Sequence, residues 1–115
     1  MTNDPGALEK VTRALLDAEL AKLRKLGQER DTIASQAREL QQQLQARGRG
    51  LAGVSAPDPC LLAGRDLLWT DWVMQAQKDL NARAARLAAE REEQLARARY
   101  ALGRAQAVTD LERQA

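Results

Sequence analysis

The stretch GRGLAG, residues 48–53, spells G-x-G-x-x-G, and Asp71 lies about 20 residues beyond it. On spacing alone this is a dinucleotide fingerprint. Its glycines would let the backbone approach a pyrophosphate, and an acid would bind the ribose. The mechanism needs a β-strand before the motif and a helix starting inside it, so that the helix N-terminus meets the phosphates. Here the preceding text is LQQQLQAR, which is helical in pattern, and the following text is VSAPDP, where proline excludes a helix. The glycines therefore read as a loop between helices rather than a nucleotide site. Other chemistry is as sparsely provided. The chain has no histidine, which removes the commonest general base and metal ligand and every Ser/His or Cys/His pair. Cys60 is the only cysteine, too few for a zinc site or an internal disulfide, and it reads as a small hydrophobe near a helix start. The 16 carboxylates are scattered beside basic residues, with no pair isolated in apolar text to raise a pKa. Neither catalysis nor a cofactor or metal is expected.

Charge narrows the partners further. The net charge is +2 among 18 basic and 16 acidic residues. Arg47 and Arg49 flank the glycines, and Arg83, Arg86, Arg97, Arg99 and Arg104 follow, but Glu90, Glu92 and Glu93 interrupt them. A phosphate-binding surface would be a stripe of unmatched cations, so nucleic acid is not indicated. The opening MTNDPGALEK has neither the basic nor the apolar region of a signal peptide, and no apolar run approaches the roughly 18 residues of a membrane span. With a single cysteine, a reducing cytoplasm fits.

The remaining residues specify helices. With 115 residues, one domain is the limit, and its apolar set is mostly Leu and Ala, with no Phe and one Ile. Such composition, with 30% charged residues, belongs to long helices and coiled coils. Asp4-Pro5 and Asp58-Pro59 are matching helix starts, in which the carboxylate caps free amides and proline takes the first position. Helix one is expected over about 5–47, a loop over 48–58, and helix two over 59–113, with Gly64 leaving Asp66 as an alternative start. The first stripe reads Leu8, Val11, Leu15, Leu16, Leu20 and Leu23, with a one-residue stutter at Leu15/Leu16. From Leu23 it becomes a heptad seam through Leu26, Arg30, Ile33, Ala37, Leu40 and Leu44. The second reads Trp69, Val73, Ala76, Leu80, Ala84 and Leu87, skips past Arg91, and resumes at Leu95, Ala98, Leu102, Ala105, Val108 and Leu111. Two such helices joined by a short loop predict an all-α antiparallel coiled-coil hairpin. The alanines at 84, 85, 88 and 89 would allow close approach, and Asp79/Arg83 and Glu93/Arg97 are spaced for ion pairs within helix two.

Within this plan the segment LLWTDWVMQAQ, residues 67–77, stands out. It holds both tryptophans of a chain with one tyrosine and no phenylalanine. Trp69 and Trp72 lie about 60° apart around a helix. Trp69 fits the seam with Val73 and Ala76, and one reading has both rings close the loop end of the hairpin on Leu40, Leu44 and Leu51. Trp72 falls at the seam's edge and faces solvent, where an aromatic serves as an interface anchor, and Trp69, Trp72, Val73, Ala76, Leu40 and Leu44 are the expected partner-binding residues.

The layout resembles the FliJ-type stalk proteins of the flagellar export apparatus and the YscO-type proteins of virulence type III secretion. The resemblance is carried by LEKVTRALLDAELAKLRKL, AGRDLLWTDWVMQAQKDL and RARYALGRAQAVTDLERQA. Its most specific part is an aromatic, two polar residues, an aromatic and an aliphatic opening helix two, matched by Trp69, Thr70, Asp71, Trp72 and Val73. What it implies is a non-enzymatic, cytoplasmic helical hairpin, or one peripheral at the inner face of the cell membrane. The end bearing both termini would engage the export ATPase, and the coiled-coil surface would contact the export gate. By position, Trp72 and Ala76, with Trp69 beside them, fall on the gate-contacting face. Ala76 is smaller than the family's usual aliphatic, and Asp79 stands where a small residue is common. The chain is expected to be a monomer or a weak dimer, and the alternative function is a structural or adaptor coiled coil unrelated to export, one form of which is a homodimer forming a four-helix bundle.

Overall fold

The computed structural model of the protein describes residues 5–52 and 59–114, with side chains described for 6–47 and 67–114. Two helices account for all of these residues: α1, Pro5–Ala52, and α2, Pro59–Gln114. Both begin at the expected proline, and Gly64 does not delay α2. Their expected caps, Asp4 and Asp58, lie outside the described residues, as do the side chains of Leu51 and Cys60. The first helix runs five residues past its expected end at 47. It continues through Gly48 and Gly50, and no glycine among the described residues takes a positive φ. Glycine inside a helix costs about 1 kcal/mol against alanine. That is a small charge on a helix already dozens of residues long, so a glycine pair does not by itself end one. The rest of the expected loop, residues 53–58, lies outside the described residues.

The helices pack against each other as an all-α hairpin in two units. One unit pairs α1 up to Glu29 with α2 from Leu87, and the other lies within Arg30–Arg86. Within the first, Glu19 meets Gln94 and Thr12 lies across a groove from Ala101. Within the second, Gln36 meets Arg83 and Arg47 meets Trp69. As one residue number rises the other falls, so the helices run antiparallel in each unit.

The inward positions of α1 form one unbroken heptad register. Leu40 is buried and Ile33 and Leu26 are half-buried. Stepping back by seven from these reaches Glu19, half-buried, and Thr12, buried to 3%. The companion series passes through Leu44, Leu23, Leu16 and Glu9, all half-buried. The expected heptad from Leu23 to Leu44 is present, except that Arg30 and Ala37 are exposed. The expected stutter at Leu15/Leu16 is absent. Leu8, Val11, Leu15 and Leu20 stand exposed, at 53, 55, 49 and 39%. A stutter would bring these leucines inward only by abandoning the register that Leu26, Ile33 and Leu40 share. Instead the register runs on, and polar residues occupy it. The Thr12 hydroxyl is accommodated by donating back to the carbonyls of Leu8 and Glu9, at 3.1 and 3.0 Å.

In α2 the inward positions include Trp69, Val73, Ala76, Leu80 and Leu87, as expected. From there Arg91, Gln94, Ala98, Ala101, Ala105, Val108 and Glu112 follow at alternating steps of four and three. Gln94 and Ala101 therefore replace the expected skip to Leu95, which is only half-buried, and the expected Leu102, which is 44% exposed. Leu111 is 65% exposed, and Glu112 turns inward in its place. Ala84, Ala85, Ala88 and Ala89 all face solvent. The alanines that sit between the helices are Ala98 and Ala101, both buried. The expected Asp79/Arg83 and Glu93/Arg97 pairs do not close: Arg83 Nη1 donates across to Gln36 Oε1 at 3.2 Å instead. Exposed pairs of this kind hold two long side chains for less than about 1 kcal/mol, so their absence is inexpensive.

Candidate functional site

The two tryptophans are positioned by the second unit. Val73 is buried to 3% against α1, and it fixes the rotation of α2 at this point. Trp69, one turn earlier, is half-buried, and the Arg47 guanidinium lies over its ring, 4.5 Å from the centroid. Arg47 thus belongs to the helix pair, stacked on an indole, and is not a free cation beside a glycine loop. A guanidinium over an indole contributes about 0.5–2 kcal/mol, more as water is excluded. Trp72 lies about 100° around the helix from Val73 and keeps 55% of its surface exposed. The difference between the two rings follows from helix geometry alone.

The other expected partner-binding residues separate in the same way. Leu40 is buried to 7%, and Leu44 and Ala76 are half-buried. With Val73 they form the layer beneath the surface, and Trp72 stands outside it. The exposed apolar neighbours are residues that the stripe left out. Leu68, 74% exposed, precedes Trp72 by four and shares its flank. Leu67 and Met74, 69 and 62% exposed, lie seven apart on the opposite side of Val73. The signal was present in the sequence: LLWTDWVM is apolar around most of the helix circumference, more than one inward stripe can absorb.

The G-x-G-x-x-G text has no nucleotide-binding context here. Gly48 and Gly50 are inside α1, no strand occurs among the described residues, and Asp71 is exposed on α2. Glu19, in the first unit, is tied to the facing helix. Gln94 Nε2 donates both to its carboxylate and, at 2.9 Å, to its backbone carbonyl, while Lys22 Nζ stands 3.6 Å away. The Gln94 hydrogen bond, opposed by partial desolvation and aided by Lys22, holds the Glu19 carboxyl below the usual range. This is a cross-helix tie between polar seam residues, a device that fixes the register of coiled coils. Among the described residues, no group of three or more Cys, Asp or Glu is placed to hold a metal, and no helix is long and apolar enough to cross a membrane.

Comparison of the chain with protein-family models, curated proteins and solved structures finds no match.

Proposed function

We propose that the protein is a non-enzymatic docking component, a helical hairpin that engages another protein through the Leu68/Trp72 flank of α2. The observation that carries this reading is Trp72. A 55%-exposed indole is a costly thing to leave in water, and it adjoins a leucine at 74% in a chain otherwise poor in aromatics. Exposed apolar clusters of this kind mark interaction sites, and tryptophan leads the residues that dominate interface energies. The resemblance to FliJ-type and YscO-type proteins supplies the specific partners. The flank would meet the export gate, the end bearing the termini would engage the export ATPase, and the protein would act in the cytoplasm at the export apparatus.

A secretion assay tests this reading in a host whose only copy of the chain carries Trp72→Ala. Secretion of flagellar-type substrates falls several-fold while the variant accumulates normally. Secretion equal to wild type would remove the flank from the function, and intact motility and secretion after deletion of the whole chain would remove the export role.

A further inference from the structure

The first unit carries a second ordered face, independent of the tryptophans. On α1 the exposed residues Leu8, Val11, Leu15, Ala18, Lys22 and Lys25 follow steps of three and four, so they form a second stripe beside the inward one. On α2 the exposed residues Glu90, Glu93, Arg97, Tyr100 and Arg104 do the same. The two stripes border the same side of the helix pair. A groove of about 400 Å³ is lined by Leu15 from α1 and by Arg97, Tyr100 and Arg104 from α2. A second groove, of about 310 Å³, continues it past Arg97, with Lys22 and Lys25 on one wall and Glu90 and Glu93 on the other. The face is therefore apolar toward the N-terminus of α1, where Tyr100 is 69% exposed under the Arg104 guanidinium, and charged farther along, with Lys22 and Lys25 beside Glu29 on α1 and Glu90 and Glu93 beside Arg97 on α2.

We infer that this face is the contact between two copies of the chain, packed side by side with their equivalent ends together as a four-helix bundle. The charges decide the occupant and its direction. A two-fold axis parallel to the helices sets α1 of one copy against α2 of the other at the same level. Lys22 and Lys25 then face Glu90 and Glu93 of the second copy, and Val11 and Leu15 face its Tyr100. The match occurs twice by symmetry, and every neighbouring helix pair is antiparallel, as in an up-down-up-down bundle. An axis perpendicular to the helices would instead lay the leucines on the charged half. Within one copy, Lys22 stands 3.6 Å from the Glu19 carboxylate, whereas Lys25, Glu90 and Glu93 form no ion pair among the described residues and remain open for this use. The size also suits a dimer. From Leu8 to Lys25 and on to Glu29 the stripe runs about 30 Å, and two helices side by side are about 20 Å wide, giving a face on the order of 600 Å² before corrugation is counted. A standard interface takes about 800 Å² from each partner.

Sedimentation of the full chain tests the inference, with circular dichroism confirming that each variant stays helical. Wild type sediments as a dimer of the 12.7 kDa chain at about 10 μM. Leu15→Glu, a change at a 49%-exposed position, sediments as a monomer with unchanged helicity. Lys22→Glu with Lys25→Glu weakens the dimer about tenfold. Adding Glu90→Lys and Glu93→Lys to that pair restores it. Trp72→Ala leaves the dimer intact, which separates this face from the docking flank. A wild-type monomer at this concentration, a dimeric Leu15→Glu, or a folded fourfold charge swap that stays weak would each overturn the proposal.

Discussion

Trp69 and Trp72 are three residues apart and in different surroundings. One carries the Arg47 guanidinium at 4.5 Å over its half-buried ring, and the other keeps 55% of its surface in water. Single-tryptophan variants report this separately. With Trp69→Phe, the remaining Trp72 emits at longer wavelength and is strongly quenched by acrylamide. With Trp72→Phe, the remaining Trp69 is shielded, and adding Arg47→Ala increases its quenching. Equal quenching of the two rings would contradict the placement. Glu19 gives a pH dependence of defined sign. Its carboxyl titrates below the ordinary value in the folded chain, chiefly because Gln94 donates to the ionised form. Between the two values the unfolded chain binds more protons, so this contribution is complete above the ordinary carboxyl range of about 4.3 and is lost as the pH falls through the lowered folded value. Thermal unfolding across that acidic window should show a steeper loss for wild type than for Gln94→Ala. Equal slopes would remove the tie. The same substitution should also lower the thermal midpoint near neutrality, where the hydrogen bond to the ionised carboxylate is fully formed.

The helices differ from their sequence pattern in an instructive way. Pro5 and Pro59 start both helices where proline's fixed φ and missing donor predict, and the seam from Leu23 to Leu44 is present at its leucines and isoleucine. What the pattern hid is the first half of α1. Read by hydrophobicity, Leu8, Val11 and Leu15 are the inward stripe. Read by register, continuation from Leu40, Ile33 and Leu26 reaches Glu19 and Thr12 instead. Periodicity in one helix cannot rank two stripes lying side by side, because the choice is made by the facing helix. There Ala98, Ala101 and Gln94 accept a threonine and a glutamate with its hydrogen-bonding partner. The exposure of Leu68, and of Met74 on the opposite side of Val73, was obscured by the same limit, since an all-round apolar segment has several stripes to offer. The substitution pair Leu40→Ala and Leu15→Ala separates the readings. Leu40→Ala should cost about 2–5 kcal/mol by leaving a cavity, whereas Leu15→Ala in the dissociated chain should cost under about 0.5 kcal/mol. Chemical denaturation at low concentration measures both. The reverse order would restore the leucine stripe to the inside.

Taken whole, the molecule admits Thr12 and Gln94 between its helices beside Leu40, Val73, Leu87, Ala98 and Ala101, and leaves several large apolar residues outside. Leu68 with Trp72 in one unit and Leu8, Val11 and Leu15 in the other are the surfaces left to cover. The two need different occupants. The second is matched by its own charges to another copy, and the first has an aromatic anchor without a complementary pattern on the same chain. On the proposed reading the protein works by docking, through exposed side chains that contribute little to its own stability. Calorimetric titration of the full chain with the cytoplasmic domain of an export gate tests the Trp72 flank most directly. Wild type should bind saturably, Trp72→Ala with affinity at least about tenfold weaker, and Leu15→Glu with wild-type affinity. Equal affinity of wild type and Trp72→Ala, or no binding by wild type, would contradict a docking role for this flank.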